Sequence, residues 1–326
     1  MLTSTSPTVS VIVPLYNKEK WVARCLSSVF LQSYRDFELI VVNDGSTDAG
    51  TSIVRTFHDH RMRLIDKENG GEASARNNGI KNARGRYIAF IDADDEWQPD
   101  HLLVLLAAMS AYPDAVVVCD EYRGQEWTFA NVSDGAEMVP VNAAMKTVDC
   151  HRFHYLDQMT AGVFVTSCSS TMVSAATLHT YGVLFNEGMK RGVDLNFWIK
   201  LSGLGDFIYC DFKGAIYHRD DFSSEMNRSR KEGEAMPDYF SGMARSDFNA
   251  DQLKRIKHFL AWEYMKNAYQ NRCIPFKITE MKTMTLGKRS VLFDSAYLMI
   301  RFAPRLLLRL IKQFKTKQQV DVGLVQ

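Results

Sequence analysis

No Cys-x-x-Cys pair occurs in the 326 residues, although six cysteines are scattered from Cys25 to Cys273. That spacing argues against a zinc ribbon or a disulfide framework and points to a reducing compartment. No uninterrupted apolar run reaches the roughly 18 residues of a membrane span. Met1–Pro7 is polar and lacks the basic and apolar regions of a secretory leader. A G-x-G-x-x-G fingerprint is missing after the first apolar strand, where Pro14-Leu15-Tyr16-Asn17 stands instead. An ordinary dinucleotide oxidoreductase is therefore disfavoured. Apart from His218, the histidines form no spacing typical of a metal site, and no internal repeat stands out.

What is present begins with a core: 46% of residues are apolar, as in an ordinary globular protein. The length suits one large domain with an appendage, or two domains. The net charge of +1 conceals an asymmetry. From Gln252 to Gln326 there are 15 Lys and Arg against 4 Asp and Glu, a net of +11; the other 251 residues carry 24 against 34, a net of −10. A basic tail on an acidic body suggests that the tail meets something anionic.

Over the first 120 residues apolar strands alternate with amphipathic segments, which predicts a mostly parallel sheet covered by helices. Strands are expected at Val9–Pro14, Phe37–Val42, Arg63–Ile65, Arg86–Ile91 and Ala115–Cys119. Helices are expected at Lys18–Gln32, Thr51–Phe57, Ala73–Ala83 and Pro99–Tyr112. The pattern weakens from Asp120 to about Thr160. It returns at Val163–Ser174, in a helix at Leu195–Leu201 and at Phe207–Tyr209. The polar segment Ser223–Arg245 reads as a surface loop or irregular helix, and the remainder reads as helices.

The acidic run Asp92-Ala93-Asp94-Asp95 stands at the carboxyl end of the fourth strand, where open α/β sheets bind ligands. Clustered carboxylates repel one another and are tolerated when a hard cation neutralises them. An acidic turn capping the next helix would look the same in isolation. Two earlier strand ends are also polar, at Tyr16-Asn17-Lys18-Glu19 and at Asn43-Asp44-Gly45-Ser46. Either would pass alone for a turn or a helix cap. Recurrence at three strand ends favours a nucleotide crevice.

These segments, Val9–Asn17, Val41–Asp48, Asn69-Gly70-Gly71 with Ala75-Arg76-Asn77, and Asp92–Asp95, stand in the order and spacing of a family 2 glycosyltransferase. The chain resembles that family strongly from about Thr8 to Asp100 and loosely to about Asp221. The resemblance implies a GT-A type nucleotide-diphospho-sugar transferase fold, with a mostly parallel central sheet flanked by helices and a helical C-terminal extension. It implies a catalytic domain over residues 1–221, with a nucleotide-sugar half at 8–120 and an acceptor half at 121–221. Residues 222–326 would form the mostly helical C-terminal region.

It also implies an inverting transfer from a nucleotide-sugar donor, UDP-sugar foremost, to a glycan or lipid-linked acceptor. By position, Pro14, Tyr16, Asn17 and Glu19 would hold base and ribose, and Asp44 would accept from the imino N–H of uracil or thymine. Arg76 would approach the diphosphate, where a planar guanidinium fits bidentately. Asp92 and Ala93 would line the ribose and metal region, and Asp94, with Asp92, would hold Mn²⁺ or Mg²⁺. The metal would act as a Lewis acid on the departing diphosphate.

The base that takes the acceptor proton would be Asp194. The family commonly has a Glu-Asp pair here, and this chain has Val193 in place of the Glu. The bland reading makes Asp194 the N-cap of the helix Leu195–Leu201. His218 stands in a loop whose register departs from the family's, as a candidate diphosphate or metal contact. In the tail, Arg301, Arg305, Arg309, Lys312 and Lys315 recur at helical spacing within a sector of roughly 120°. This basic amphipathic pattern suits an anionic membrane surface, which would place the chain at the cytoplasmic face of a membrane. Nucleic-acid binding is disfavoured because no stacking platform is interleaved. A haloacid-dehalogenase-like phosphatase is weaker, since it should carry a hydroxyl residue where Glu96-Trp97 stands. A degenerate, scaffolding glycosyltransferase is the non-enzymatic alternative, supported only by Val193 and the altered loop.

Overall fold

The structure, a computed structural model, describes residues 6–123, 137–141, 146–160, 166–218 and 249–256. The chain divides into two compact units, Met1–Asp247 and Phe248–Gln326. The basic amphipathic segment expected at 295–317 lies outside the described residues, as do the segment at 223–245 and the loop at 124–136.

In the first unit the chain runs β1 (Val9–Leu15), α1 (Val22–Phe30), β2 (Phe37–Asp44), α2 (Gly50–Val54), β3 (Met62–Lys67), α3 (Glu72–Asn82), β4 (Tyr87–Phe90), β5 (Glu96–Trp97) and α4 (His101–Ala111). It continues with β6 (Val117–Arg123), β7 (Glu137–Val141), β8 (Lys146–Phe153), α5 (Tyr155–Thr160), a 3-10 turn at Cys168–Ser170, β9 (Thr171–Ser174), α6 (Ala175–Tyr181), α7 (Val193–Ser202) and β10 (Phe207–Ile216).

All ten strands join one sheet in the order β3-β2-β1-β4-β9-β6-β10-β8-β7, with β5 pairing to β10. β1 pairs in parallel with both β2 and β4, β2 with β3, and β6 with β10. β9 runs antiparallel between β4 and β6. It therefore leaves β3, β2, β1, β4, β6 and β10 pointing the same way. The sheet is mixed but mostly parallel, as the alternation predicts. Chain order reverses between β1 and β4, and such a switch point opens a crevice at the strands' carboxyl ends.

β1, β2 and β4 are apolar almost throughout because both sheet faces are covered, as parallel sheets require. α3 packs on β1 and β2. Its contact is close: a Cβ at Gly79 would overlap the side chain of Ile12. α1 buries Val22, Cys25, Leu26 and Val29, the stripe visible in the sequence.

Two expected boundaries move for physical reasons. α1 starts at Val22 rather than Lys18, because Asn17 adopts φ 52° and the Lys18 carbonyl accepts from Trp21 N–H and Val22 N–H in a turn. Of the segment expected at Val163–Ser174, residues 163–165 lie outside the described residues, and in the remainder the 3-10 turn precedes β9, which holds only Thr171–Ser174.

Candidate active site

The strand ends are sewn together before any ligand arrives. Left-handed backbone is tolerated by asparagine better than by most residues. At Asn17 it turns the amide inward, so that Oδ1 accepts from Thr47 N–H at 2.8 Å. Its own N–H donates to Ser46 Oγ. Tyr16 is left half-exposed at the crevice, while Pro14 is still paired with Val42 inside the sheet. The Glu19 carboxylate accepts from Ala49 N–H at 3.0 Å, at the start of α2.

Asp44, at the end of β2, is almost fully buried. Its carboxylate accepts from Gly70 N–H, Gly71 N–H and Lys67 Nζ. A buried carboxylate with several donors is well compensated for lost hydration. Here those donors pin the glycine turn that opens α3.

The acidic loop after β4 is built by Ser169. Its hydroxyl accepts from Asp92 N–H at 3.0 Å and donates to Asp95 at 2.5 Å, while its carbonyl accepts from Trp97 Nε1. Asp95 is buried beneath the loop and Ala93 beside it. The side chains of Asp92 and Asp94 remain partly open. Arg24 donates to the Asp94 carbonyl, and Lys18 Nζ sits on the Asp94 carboxylate. Burial, reinforced by Asp92, raises the Asp94 carboxyl above the ordinary range, with Lys18 opposing it.

The centre of the site is Arg76, whose side chain is 0% exposed. Its guanidinium donates to Asp92 Oδ1 at 2.6 Å and to Asp194 Oδ1 at 3.1 Å, and pairs with Glu72 one helical turn back. The ring of Phe185 covers it at 5.3 Å, a cation–π contact. One cation thus gathers carboxylates from three elements separated by 16 and 118 residues from Arg76 on the Asp92 and Asp194 sides.

Asp194 reaches this centre through aromatic packing. Phe185 stacks on Phe197 with centroids 3.9 Å apart, and Phe90 meets both edge-on. Asn77 of α3 clamps the approach, donating to the Phe185 carbonyl and Glu187 and accepting from Phe185 N–H.

Asp194 is not the cap of α7. Gly192 holds that place with φ 68°, and Asp194 lies in the first turn with no capping hydrogen bond. The expectation that Asp194 caps the helix is therefore corrected. Burial raises the Asp194 carboxyl, Asp92 adds to the rise, and Arg76 and a hydrogen bond from Cys168 hold it back.

The structure brings Arg76, Asp92 and Asp194 together and places Asp94 on the same loop. His218 stands beside the acidic loop: its Nε2 is 3.0 Å from Glu96 Oε2 on β5, and Glu96 lies 3.9 Å from the Arg24 guanidinium that donates to the Asp94 carbonyl. Sequence reasoning passed over Glu72, Lys18, Ser169 and Asn77. Glu72 had a signal, the four-residue spacing to Arg76. Ser169 had none, because its partners lie more than 70 residues away.

Residues 10–169 match the family model described as glycosyl transferase family 2. The matched segment, just under half of the chain, supports a family 2 glycosyltransferase. The chain is 40% identical to glycosyltransferase GlyA of Streptococcus pneumoniae over 120 residues, 36% of this chain but 17% of GlyA. It is 48% identical to an uncharacterized glycosyltransferase, EpsJ, of Bacillus subtilis over 91 residues, 27% of this chain and 26% of EpsJ. The chain thus covers a minor part of these relatives. An uncharacterized glycosyltransferase of Rickettsia prowazekii aligns over 244 residues at 29% identity, spanning 74% of this chain and 72% of that one. Among solved structures, S. aureus TarS 1-349 in complex with UDP-GlcNAc superposes with TM-score 0.61 at 19% identity, over 85% of this chain and 78% of TarS. At that identity the likeness is one of fold, and the GT-A type architecture expected from sequence is the one observed.

Among the described residues no group of three or more His, Cys, Asp or Glu side chains converges as a metal set. Mg²⁺ and Mn²⁺ need no such cage when a diphosphate and water complete the shell, since one or two carboxylates then suffice. Asp94 and Asp92 would supply that donor set, and the Lys18 ammonium already stands on the Asp94 carboxylate. The residues fit the ion. No helix among the described residues is long and apolar enough to cross a membrane.

Proposed function

We propose that the chain, as a family 2 glycosyltransferase, moves a sugar, with inversion, from a nucleoside diphosphate donor to a hydroxyl of a glycan or lipid-linked acceptor in surface polysaccharide synthesis. The observation that carries this reading is the Arg76 bridge, which fixes Asp194 against Asp92. Asp194 is the base that takes the acceptor proton. Its raised carboxyl stands closer to neutrality than an ordinary aspartate, which improves proton abstraction. Arg76, buried and committed to three carboxylates, is a positioning residue for Asp194 rather than the open diphosphate clamp expected from sequence.

Pro14, Tyr16, Asn17, Glu19 and Asp44 line the strand ends that would hold base and ribose, with Ala93 and Asp92 on the far side. Asp94, with Asp92, would hold Mn²⁺ or Mg²⁺, which neutralises charge on the leaving diphosphate when bound. The TarS complex with UDP-GlcNAc supports a UDP-sugar as donor. The basic pattern at 295–317 supports peripheral association with an anionic membrane face.

A thermal-shift panel of nucleoside diphosphates and nucleotide sugars with Mn²⁺ tests the donor site. Uridine diphosphate and its sugars are expected to raise the melting temperature. If neither uridine nor thymidine diphosphate shifts it, the nucleotide site is wrong.

A further inference from the structure

Lys18 has no role in the proposed transfer, yet its ammonium sits directly on Asp94, the proposed metal ligand. Nζ lies 2.5 Å from Asp94 Oδ2, and the two side chains are 22% and 16% exposed. The indole of Trp21 lies beneath the ammonium at 5.3 Å. The backbone on either side is fixed: Asn17 is held in its left-handed turn, and the Lys18 carbonyl starts the turn into α1. Only the four-carbon stem can move.

A divalent ion binds carboxylate oxygen at about 2.0–2.1 Å, and an ammonium at hydrogen-bond distance on the same oxygen competes with it for position and charge. Arrival of the ion therefore frees the ammonium while its backbone stays at the crevice. The anion that accompanies the metal is the donor's diphosphate, and lysine is a compact point-charge ligand for phosphate.

We propose that Lys18 is a resident counter-cation of Asp94 that yields the carboxylate to the divalent metal and then donates to the donor diphosphate. This rests on Asp94 being the metal ligand. Lys18 thus opposes metal binding alone and favours nucleotide binding once the metal is present. A purely structural ion pair would do neither.

The test measures Mn²⁺ binding by electron paramagnetic resonance without nucleotide, and UDP binding by calorimetry at saturating Mn²⁺. It uses the unaltered chain, Lys18→Gln, Lys18→Arg and Asp94→Asn. In Lys18→Gln, Mn²⁺ is expected to bind about tenfold more tightly and UDP about tenfold more weakly, each the size of one charge-assisted contact. Lys18→Arg, which keeps the charge, should leave Mn²⁺ affinity near that of the unaltered chain. Asp94→Asn should abolish the tight Mn²⁺ site.

If Mn²⁺ binds the unaltered chain through Asp94 but Lys18→Gln binds it no more tightly, the Lys18 inference is overturned and the metal site stands. Unchanged UDP affinity in Lys18→Gln overturns the second half of the inference. If the unaltered chain binds no Mn²⁺, or if Asp94→Asn binds it equally, the metal reading falls and this inference with it.

Discussion

The two halves of the sheet place their functional residues by different means. From β1 to β4 most candidate residues stand at or just beyond the end of a parallel strand, so that backbone hydrogen bonding fixes Asn17, Asp44 and Asp92 at one edge, while Arg76 stands on α3. Beyond β6 the pairing is mixed, and the proposed base, Asp194, hangs on a helix rather than a strand end. What fixes it is the stack of Phe185, Phe197 and Phe90, and a salt bridge back to Arg76 in the first half. One half is built by topology, the other by packing against it.

That contrast can be broken most severely at Arg76. Arg76→Met would strand Asp92 and Asp194 beside each other without their cation. Removing one partner from a buried ionic cluster costs about 3–5 kcal/mol. Because the carboxylates are partly exposed, the lower end is expected. Chemical denaturation should show this loss, and transfer should fall with it. A loss under about 1 kcal/mol, the size of a surface ion pair, would show that Arg76 does not join the halves.

A smaller effect sharpens the other side of the comparison. In the second half Asp120 lies fully buried against His101, with Oδ2 2.7 Å from Nδ1. Burial pushes its carboxyl up to about 6, although His101 opposes the rise. A folded value above the unfolded one means that the folded state holds the proton more firmly. The stability contributed is therefore full below the unfolded value near 4 and lost as pH rises through about 6. Stability of the unaltered chain, relative to Asp120→Asn, should decline by about 2 kcal/mol between pH 4 and 7. A flat difference would contradict the buried, protonated state.

The smallest expected effects come from two glycines, one in each half. Gly79→Ala would push α3 off Ile12, and Gly214→Ala would meet Asp120 and His101. Overpacking of this kind costs about 1–3 kcal/mol. Gly79→Ala should lower stability by squeezing apolar packing, with no change in pH dependence. Gly214→Ala should also alter the acid-to-neutral slope, because it disturbs the titrating pair. Equal pH profiles would remove that distinction.

The same division explains what was legible in the sequence. Asp44, Asp92 and Asp94 could be found because strand periodicity announces a strand end and the polar residues follow directly. Asp194 could be named only through family resemblance. Its local sequence also fits a helix cap, and the structure needed Gly192 at positive φ to show otherwise. Arg76 was legible as a residue but not in its role, since three carboxylates converge on it from positions 72, 92 and 194. Ser169 was invisible because a side-chain hydrogen bond spanning 77 residues leaves no periodic trace, and Asn77, although part of the family motif, gave no sign of its partner Phe185 108 residues on.

The central claim is that Asp194, held by Arg76, is the base in a site whose donor half is complete without it. Asp194→Asn keeps the shape and the hydrogen bond to Arg76 while removing the proton acceptor. The most direct measurement compares this variant with the unaltered chain in donor binding by calorimetry and in transfer rate with Mn²⁺ present. Donor affinity should stay within about threefold while turnover falls at least about a hundredfold, the scale of general base catalysis. Undiminished turnover, or donor binding lost in proportion to turnover, would contradict the assignment.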